Sequence, residues 1–233
     1  MRIGSEVVRP MMNSLEGMPV HVRQLAQMFR KHGQKQNQST NRVTDLDATD
    51  VPQPLRDGWK KDSWHTPDRI VGSGKPNRPY PAEYLDADYI QQHLQRFEGG
   101  ATRFYRSESL DRYGPGNQGT TFVFPTSEID NIIQQADGDP KKLGVMLGLG
   151  ENFFVDANGN AVDITRADFS YEEIVNGNLR MPRGNEAGAN EAWIPGGYLP
   201  EGIPEAVLNT HPDAGRGDPS AGGTWGSYTP FRL

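Results

Sequence analysis

The stretch Asn178–Asn209, NLRMPRGNEAGANEAWIPGGYLPEGIPEAVLN, limits what this chain can fold into more than any other. Its glycines and prolines disfavour a long helix or strand, because glycine adopts backbone conformations that other residues resist and proline fixes φ and lacks an N–H. Leu179, Met181, Trp193, Ile194, Tyr198, Leu199 and Ile203 lie among them, more large apolar surface than a disordered linker carries. Burying those side chains would hold an irregular path in one shape, so the stretch reads as an ordered loop, the kind of element on which sites tend to sit. Asn185, Glu186, Asn190 and Glu191 set amide and carboxylate groups beside Trp193, a mixture suited to a polar, ring-containing ligand. The alternative is that glycine and asparagine only make turns while the glutamates face water.

A chain of 233 residues can bury a real core, as one domain or one domain with an arm. No apolar run approaches the roughly 20 residues that span a bilayer. The opening MRIGSEVVRPMMNSLEGMP has no apolar block like that of a secretory signal, so export by a conventional signal peptide is not expected. Cysteine is absent, which removes disulfides, thiolate metal sites and a cysteine nucleophile together. His21, His32, His65, His93 and His211 are scattered without metal-binding spacing, so the expected mechanism is metal-free.

Charge divides the chain. The net charge is −6, yet residues 1–43 carry Arg2, Arg9, Arg23, Arg30, Lys31, Lys35 and Arg42 against Glu6 and Glu16, about +5, leaving about −11 for the rest. An acidic body argues against nucleic acid as the main ligand, since duplex binding relies on Lys and Arg neutralising phosphates. The basic arm could instead meet an acidic carrier protein, a secretion chaperone or nucleic acid, or simply be solvated.

Pro19 followed by VHVRQLAQMFRKHG has the helical spacing of Val22, Leu25, Ala26, Met28 and Phe29, with Gly33 as a stop. From Gln34 to about Lys75 no period is sustained, so a mobile linker is expected, anchored locally at Trp59 and Trp64. Residues 1–75 therefore read as an arm, and residues 76–233 as a compact domain. Within the latter, PAEYLDADYIQQHLQRFEGG predicts one helix with Leu85, Tyr89, Leu94 and Phe97 on a face. ATRFYR and GTTFVFP predict strands joined by a loop, ESLDRYGPGNQ. Ser127 is expected to cap a helix carrying Ile129, Ile132 and Ile133, and Asp139–Pro140 to start another. Asn158–Gly159 marks a hairpin, strand-like pieces follow at 178–181 and 206–209, and Trp225, Tyr228 and Phe231 suggest that the tail folds back. An RGD triplet at Arg216–Asp218 arises easily in a glycine-rich loop and carries little weight. The fold class expected is α+β, helices followed by a small, mainly antiparallel β core with long ordered loops.

The usual phosphate loops, zinc-protease helices and nucleophile elbows are missing. What remains is arginine and aromatic chemistry. Strand alternation puts Arg103 and Tyr105 on one face and Phe104 and Arg106 on the other, so one arginine should point inward and hold an anion, either a carboxylate of the protein or a ligand phosphate.

Residues Leu110–Pro125, LDRYGPGNQGTTFVFP, resemble the corresponding segment of NAD glycohydrolase domains of the tuberculosis-necrotizing-toxin type. The wider order, YLDADYIQQHLQRFEGGATRF, then TSEIDNII, then RMPRGNEAGANEAWIPGG and EAV, is similar to toxin-like modules at the C-termini of bacterial polymorphic toxins and in some phage-associated proteins. Together the resemblance spans roughly residues 80–210. It implies that Arg112 and Tyr113 grip the dinucleotide, and that Gly119 and Phe122 shape the nicotinamide pocket. The family's polar catalytic residue lies near the C-terminal end of the domain and has no obvious counterpart here.

On chemical grounds Glu186 and Glu191 are the substitutes, with Arg103, Asn190 and Trp193 as further binding residues. Breaking the nicotinamide–ribose bond develops positive charge on the ribose, which a carboxylate can stabilise while Arg112 holds the pyrophosphate. NAD would be a substrate with no permanently bound cofactor. Hydrolysis and ADP-ribosyl transfer stay open. An effector of this kind implies an immunity protein, a delivery or carrier partner for the arm, and synthesis in the bacterial cytoplasm before delivery to a target cell. Two other readings are a non-enzymatic interaction or phage-associated protein using the 178–209 loop as its surface, and a nuclease toxin using His65 or His93 with nearby acids.

Overall fold

The computed structural model describes residues 58–190, 193–199, 202–210 and 225–233. The expected amphipathic segment near residues 20–33 and the RGD triplet lie outside these residues. Strand alternation sets the centre. In β1 (Ala101–Arg106), Phe104 is fully buried in a core on one face, while Ala101 lies in the core on the other with Tyr105 packed against it. The sheet is five-stranded and antiparallel, in the order β4 (Ala206–Asn209), β2 (Thr120–Pro125), β1, β3 (Ile164–Phe169) and β5 (Ser227–Phe231). Arg103 pairs with Ala167, and Ala167 pairs with Tyr228, which puts these three residues in one row across the sheet. With its helices this is an α+β fold, as the sequence implies.

Both faces of the sheet are covered. On one, Phe104, Phe124 and Ile164 pack with Ile129 and Ile132 of α5 (Thr126–Ala136), Leu143 and Met146 of α6 (Pro140–Met146), and Phe154. On the other, Ala101, Val123, Ala167 and Ala206 meet Leu94 of α3 (Ala87–Gln95), Phe97, Ile174 of α7 (Tyr171–Asn176), and Trp225. A third cluster joins Trp59, Ile70 of α1 (Pro67–Gly72), Tyr84 of α2 (Pro81–Tyr84) and Leu85 to Met181, Trp193, Ile194 and Tyr198.

Several local readings change. The single helix expected over 81–98 is two, because Leu85 is extended (φ −110°, ψ 144°) and bridges Trp59, turning its side chain into the third cluster. Residues 107–113, expected as loop, form α4 (Ser107–Tyr113), which buries Leu110. Ser127 lies inside α5 rather than at its cap, which is Pro125, and no side chain caps that end. Asp139 does cap α6, accepting from the Lys141 N–H at 2.8 Å. Residues 58–75 are packed where a linker was expected: Trp59 is buried, its Nε1 donating to the His65 carbonyl, whereas Trp64 is 64% exposed. The tail returns as β5, with Trp225 against Phe169 at 4.4 Å between ring centroids.

Candidate functional site

In the described part of the 178–209 stretch the large apolar side chains are packed, as its composition calls for. Trp193, Ile194, Tyr198 and Leu199 are buried, and the loop is fastened to the residues before α2 by cations that bond its carbonyls. Lys75 Nζ donates to the carbonyls of Glu186 and Ala189, Arg78 Nη1 donates to that of Gly184, and Arg183 Nε donates to that of Arg78. Asn185 Nδ2 also donates to the Arg78 carbonyl. Glu186 closes the turn from within, its carboxylate accepting the N–H groups of Arg183 at 3.0 Å and Gly184 at 2.8 Å. Gly184 has φ +80° and lies so close to the Trp193 ring that a Cβ would stand 2.5 Å from it, so only glycine fits both the conformation and the space.

Beside this loop is a buried polar centre whose key carboxylate was not singled out in the sequence. Glu205, just before β4, is 6% exposed, and no described residue donates a hydrogen bond to its carboxyl. Burial pushes its proton affinity up to about 8, against the pull of Arg103 in the other direction, and Glu186 adds to the rise. The guanidinium of Arg103 is sunk in the sheet face, and its Nε is buried with no hydrogen-bond partner among the described residues. Burial lowers its proton affinity, while Tyr105 and Glu205 favour its charge. The two groups feel each other without forming a direct ion pair. Their state is unusual, because a buried arginine normally finds an anion and a buried acid a donor.

Tyr105 ties this centre to the turn that follows α4. Its hydroxyl donates to the Pro115 carbonyl at 2.9 Å and lies 3.0 Å from Thr121 Oγ1, and its ring is 5.8 Å from the Arg103 guanidinium. His93 of α3 closes the centre from the helix side. Its Nε2 is 2.9 Å from the backbone carbonyl of Glu205, which can only accept, so this nitrogen carries the ring proton. Burial holds the imidazole neutral down to about 4, and Nδ1 is left buried with no described partner.

The other residues singled out in the sequence are spread more widely. Arg112 and Tyr113 sit on the exposed side of α4, the guanidinium 5.3 Å from the Tyr113 ring, and Tyr113 is 68% exposed. Gly119 has φ +81° in the turn before β2. Phe122 is buried, and the loop reaches it at Gly188, where a Cβ would lie 3.8 Å from its ring. Asn190 Nδ2 donates to the Gly148 carbonyl, and Trp193 lies 4.4 Å from the Arg78 guanidinium. Glu191 lies outside the described residues. Of the residues singled out in the sequence, Arg103, Glu186, Phe122 and Trp193 border the 178–209 stretch or the buried centre. Sequence reading passed over Glu205, whose only sequence signal was a carboxylate set among apolar residues in IPEAVL.

A cavity of about 730 Å³ lies elsewhere. It is an apolar groove lined by Leu85, Ile90, Leu94, Ile174, Val175 and Leu179, with Lys60 and Glu98 its only charged lining residues. A mainly apolar groove offers few groups for chemistry, so the buried Glu205–Arg103 centre is the better candidate site. Among the described residues there is no group of three or more His, Cys, Asp or Glu side chains able to hold a metal ion, and no helix long and apolar enough to cross a membrane. No protein-family model matches the chain, and no curated protein matches it.

Proposed function

We propose that this domain consumes NAD, breaking the bond between nicotinamide and the ribose, and serves as a bacterial toxin or effector module with its basic N-terminal residues as a delivery or docking arm. The observation that carries the reading is a buried, proton-holding Glu205 of the 178–209 stretch in the field of Arg103, whose Nε is buried with no described partner. Perturbed ionisable groups of this kind gather at sites of chemistry. In this account Glu205 takes the part that the sequence had suggested for Glu186 or Glu191, since the carboxylate of Glu186 is engaged by two loop N–H groups.

The chemistry suits the pair. The pyridinium of NAD is a cation, and its arrival beside Glu205 favours loss of the carboxyl proton, because an opposite charge offsets burial. The C–N bond then breaks with its electron pair leaving on nicotinamide, and the charge passes to the ribose under the same carboxylate. Water, or the nucleophile of an acceptor macromolecule, forms the new bond to the ribose carbon and releases a proton. Arg103 holds an anionic or hydroxyl group of the ligand, and Phe122 with Gly188 supplies an apolar wall. The non-enzymatic alternative needs the 178–209 loop as a docking surface, and most of its large apolar side chains are spent on the protein's own core.

The test is chromatography of NAD incubated with the purified chain. The reading expects nicotinamide and ADP-ribose, or an ADP-ribosylated acceptor, with Glu205→Gln inactive and Arg112→Ala active. Loss of activity in Arg112→Ala with Glu205→Gln unaffected would move the site to the exposed face of α4.

A further inference from the structure

The loop anchor is richer in cations than a structural staple requires. Lys75 and Arg78 donate to carbonyls of residues 184–189 and Arg183 donates to that of Arg78, with the Glu186 carboxylate close by and accepting backbone N–H groups. Their hydrogen bonds go to neutral carbonyls, and the Glu186 carboxylate favours the charge of Lys75 and Arg78 without a direct ion pair to either among the described residues. Two donors there are buried without a described partner: Nε of Arg78 and Nε1 of Trp193, the latter on a side chain 6% exposed. The Arg78 guanidinium is 4.4 Å from the Trp193 ring, so both unmet donors belong to one small volume. Arg183 lies 3.8 Å from the ring of Tyr80, which is 61% exposed. Among the described residues nothing accepts a hydrogen bond from the Nη atoms of Arg183.

We propose that Lys75, Arg78, Arg183 and Trp193 form a binding site for the diphosphate of a nucleotide, with the exposed ring of Tyr80 as the surface on which its base stacks. Planar guanidinium forks match phosphate oxygens, an indole N–H is a donor only, and an aromatic ring beside them accepts a flat heterocycle. The Lys75 ammonium is disfavoured by burial and then by the charge of Arg78, and the Glu186 carboxylate offsets this only in part. Glu186 influences both this cluster and Glu205, which sets the site next to the buried centre. The site deepens the NAD reading by giving the diphosphate a place other than Arg112, and it depends on that reading only for which nucleotide is bound.

Titration calorimetry on the full chain with inorganic pyrophosphate and with ADP-ribose tests it. Both are expected to bind, more weakly as salt rises, and Arg183→Gln and Lys75→Gln should each weaken both at least tenfold while circular dichroism stays unchanged. Tyr80→Ala should weaken ADP-ribose and leave pyrophosphate as it was. No binding of either probe at millimolar concentration, or binding indifferent to Arg183→Gln and Lys75→Gln, would overturn the site. ADP-ribose binding that needs Arg183, combined with an intact NAD pool, would keep the site and remove the cleavage reading. NAD cleavage with a KM untouched by both substitutions would do the reverse.

Discussion

Replacing Glu205 with glutamine should change how stability depends on pH, with a sign and size set by the burial of the carboxyl. The folded protein holds this proton up to about 8, against an ordinary value of 4.5. Between those limits the native state binds more protons than the unfolded state, so stability falls as pH rises, and the penalty is complete above about 8. At about 1.4 kcal/mol for each pH unit of that window, the full loss is roughly 5 kcal/mol. His93 acts with the opposite sign. Its ring stays neutral down to about 4, against 6.5 in the unfolded chain, so stability rises with pH across that interval by roughly 3 kcal/mol. The two slopes cancel between about 4.5 and 6.5, and the decline due to Glu205 stands alone from there to about 8. In Glu205→Gln the rise from His93 is uncovered and the later decline disappears. Urea denaturation of both proteins from pH 4.5 to 8.5 reads this directly, provided the m-value is constant. Relative to wild type, the variant should gain several kcal/mol across the range, apart from a constant offset for the buried amide. Parallel stability curves would refute the placement of a proton-holding carboxyl at this position.

Gly184→Ala should destabilise the loop by roughly 1–3 kcal/mol in thermal unfolding, because the new methyl meets the Trp193 ring in a left-handed backbone conformation. An unchanged Tm would mean that the loop is not fixed against Trp193. Phe104→Ala, which empties a fully buried position on the α5–α6 face, should cost about 3–5 kcal/mol. Tyr113→Ala, at 68% exposed, should stay within about 0.5 kcal/mol of wild type. Equal effects of these last two would contradict the burial pattern of β1 and α4.

Local patterns were the legible part of the chain. ATRFYR gave β1 with its bounds, the alternation of Arg103 and Phe104 across it, and the Asp139–Pro140 helix start. Those signals act within a few residues. What sequence reading missed depends on contacts far apart in the chain. Trp59 looked like an isolated anchor in a linker, and Ile70 gave no signal, because their partners, Trp193, Ile194 and Tyr198, come more than 120 positions later. Leu85 suited a continuous helix by spacing, yet its pairing with Trp59 breaks that helix in two. Glu205 escaped notice because burial, the property that makes it unusual, belongs to the fold and not to the residue type. The burial of Trp193, Ile194, Tyr198 and Leu199 was readable from large apolar residues set among glycine and proline.

The central claim is tested most directly by following NAD with the purified wild-type chain and with Glu205→Gln, shown by circular dichroism and by denaturation to be folded. The account predicts nicotinamide release by the wild type and its loss in Glu205→Gln. An NAD pool untouched by wild-type protein would contradict it, as would cleavage that proceeds equally well without the Glu205 carboxyl.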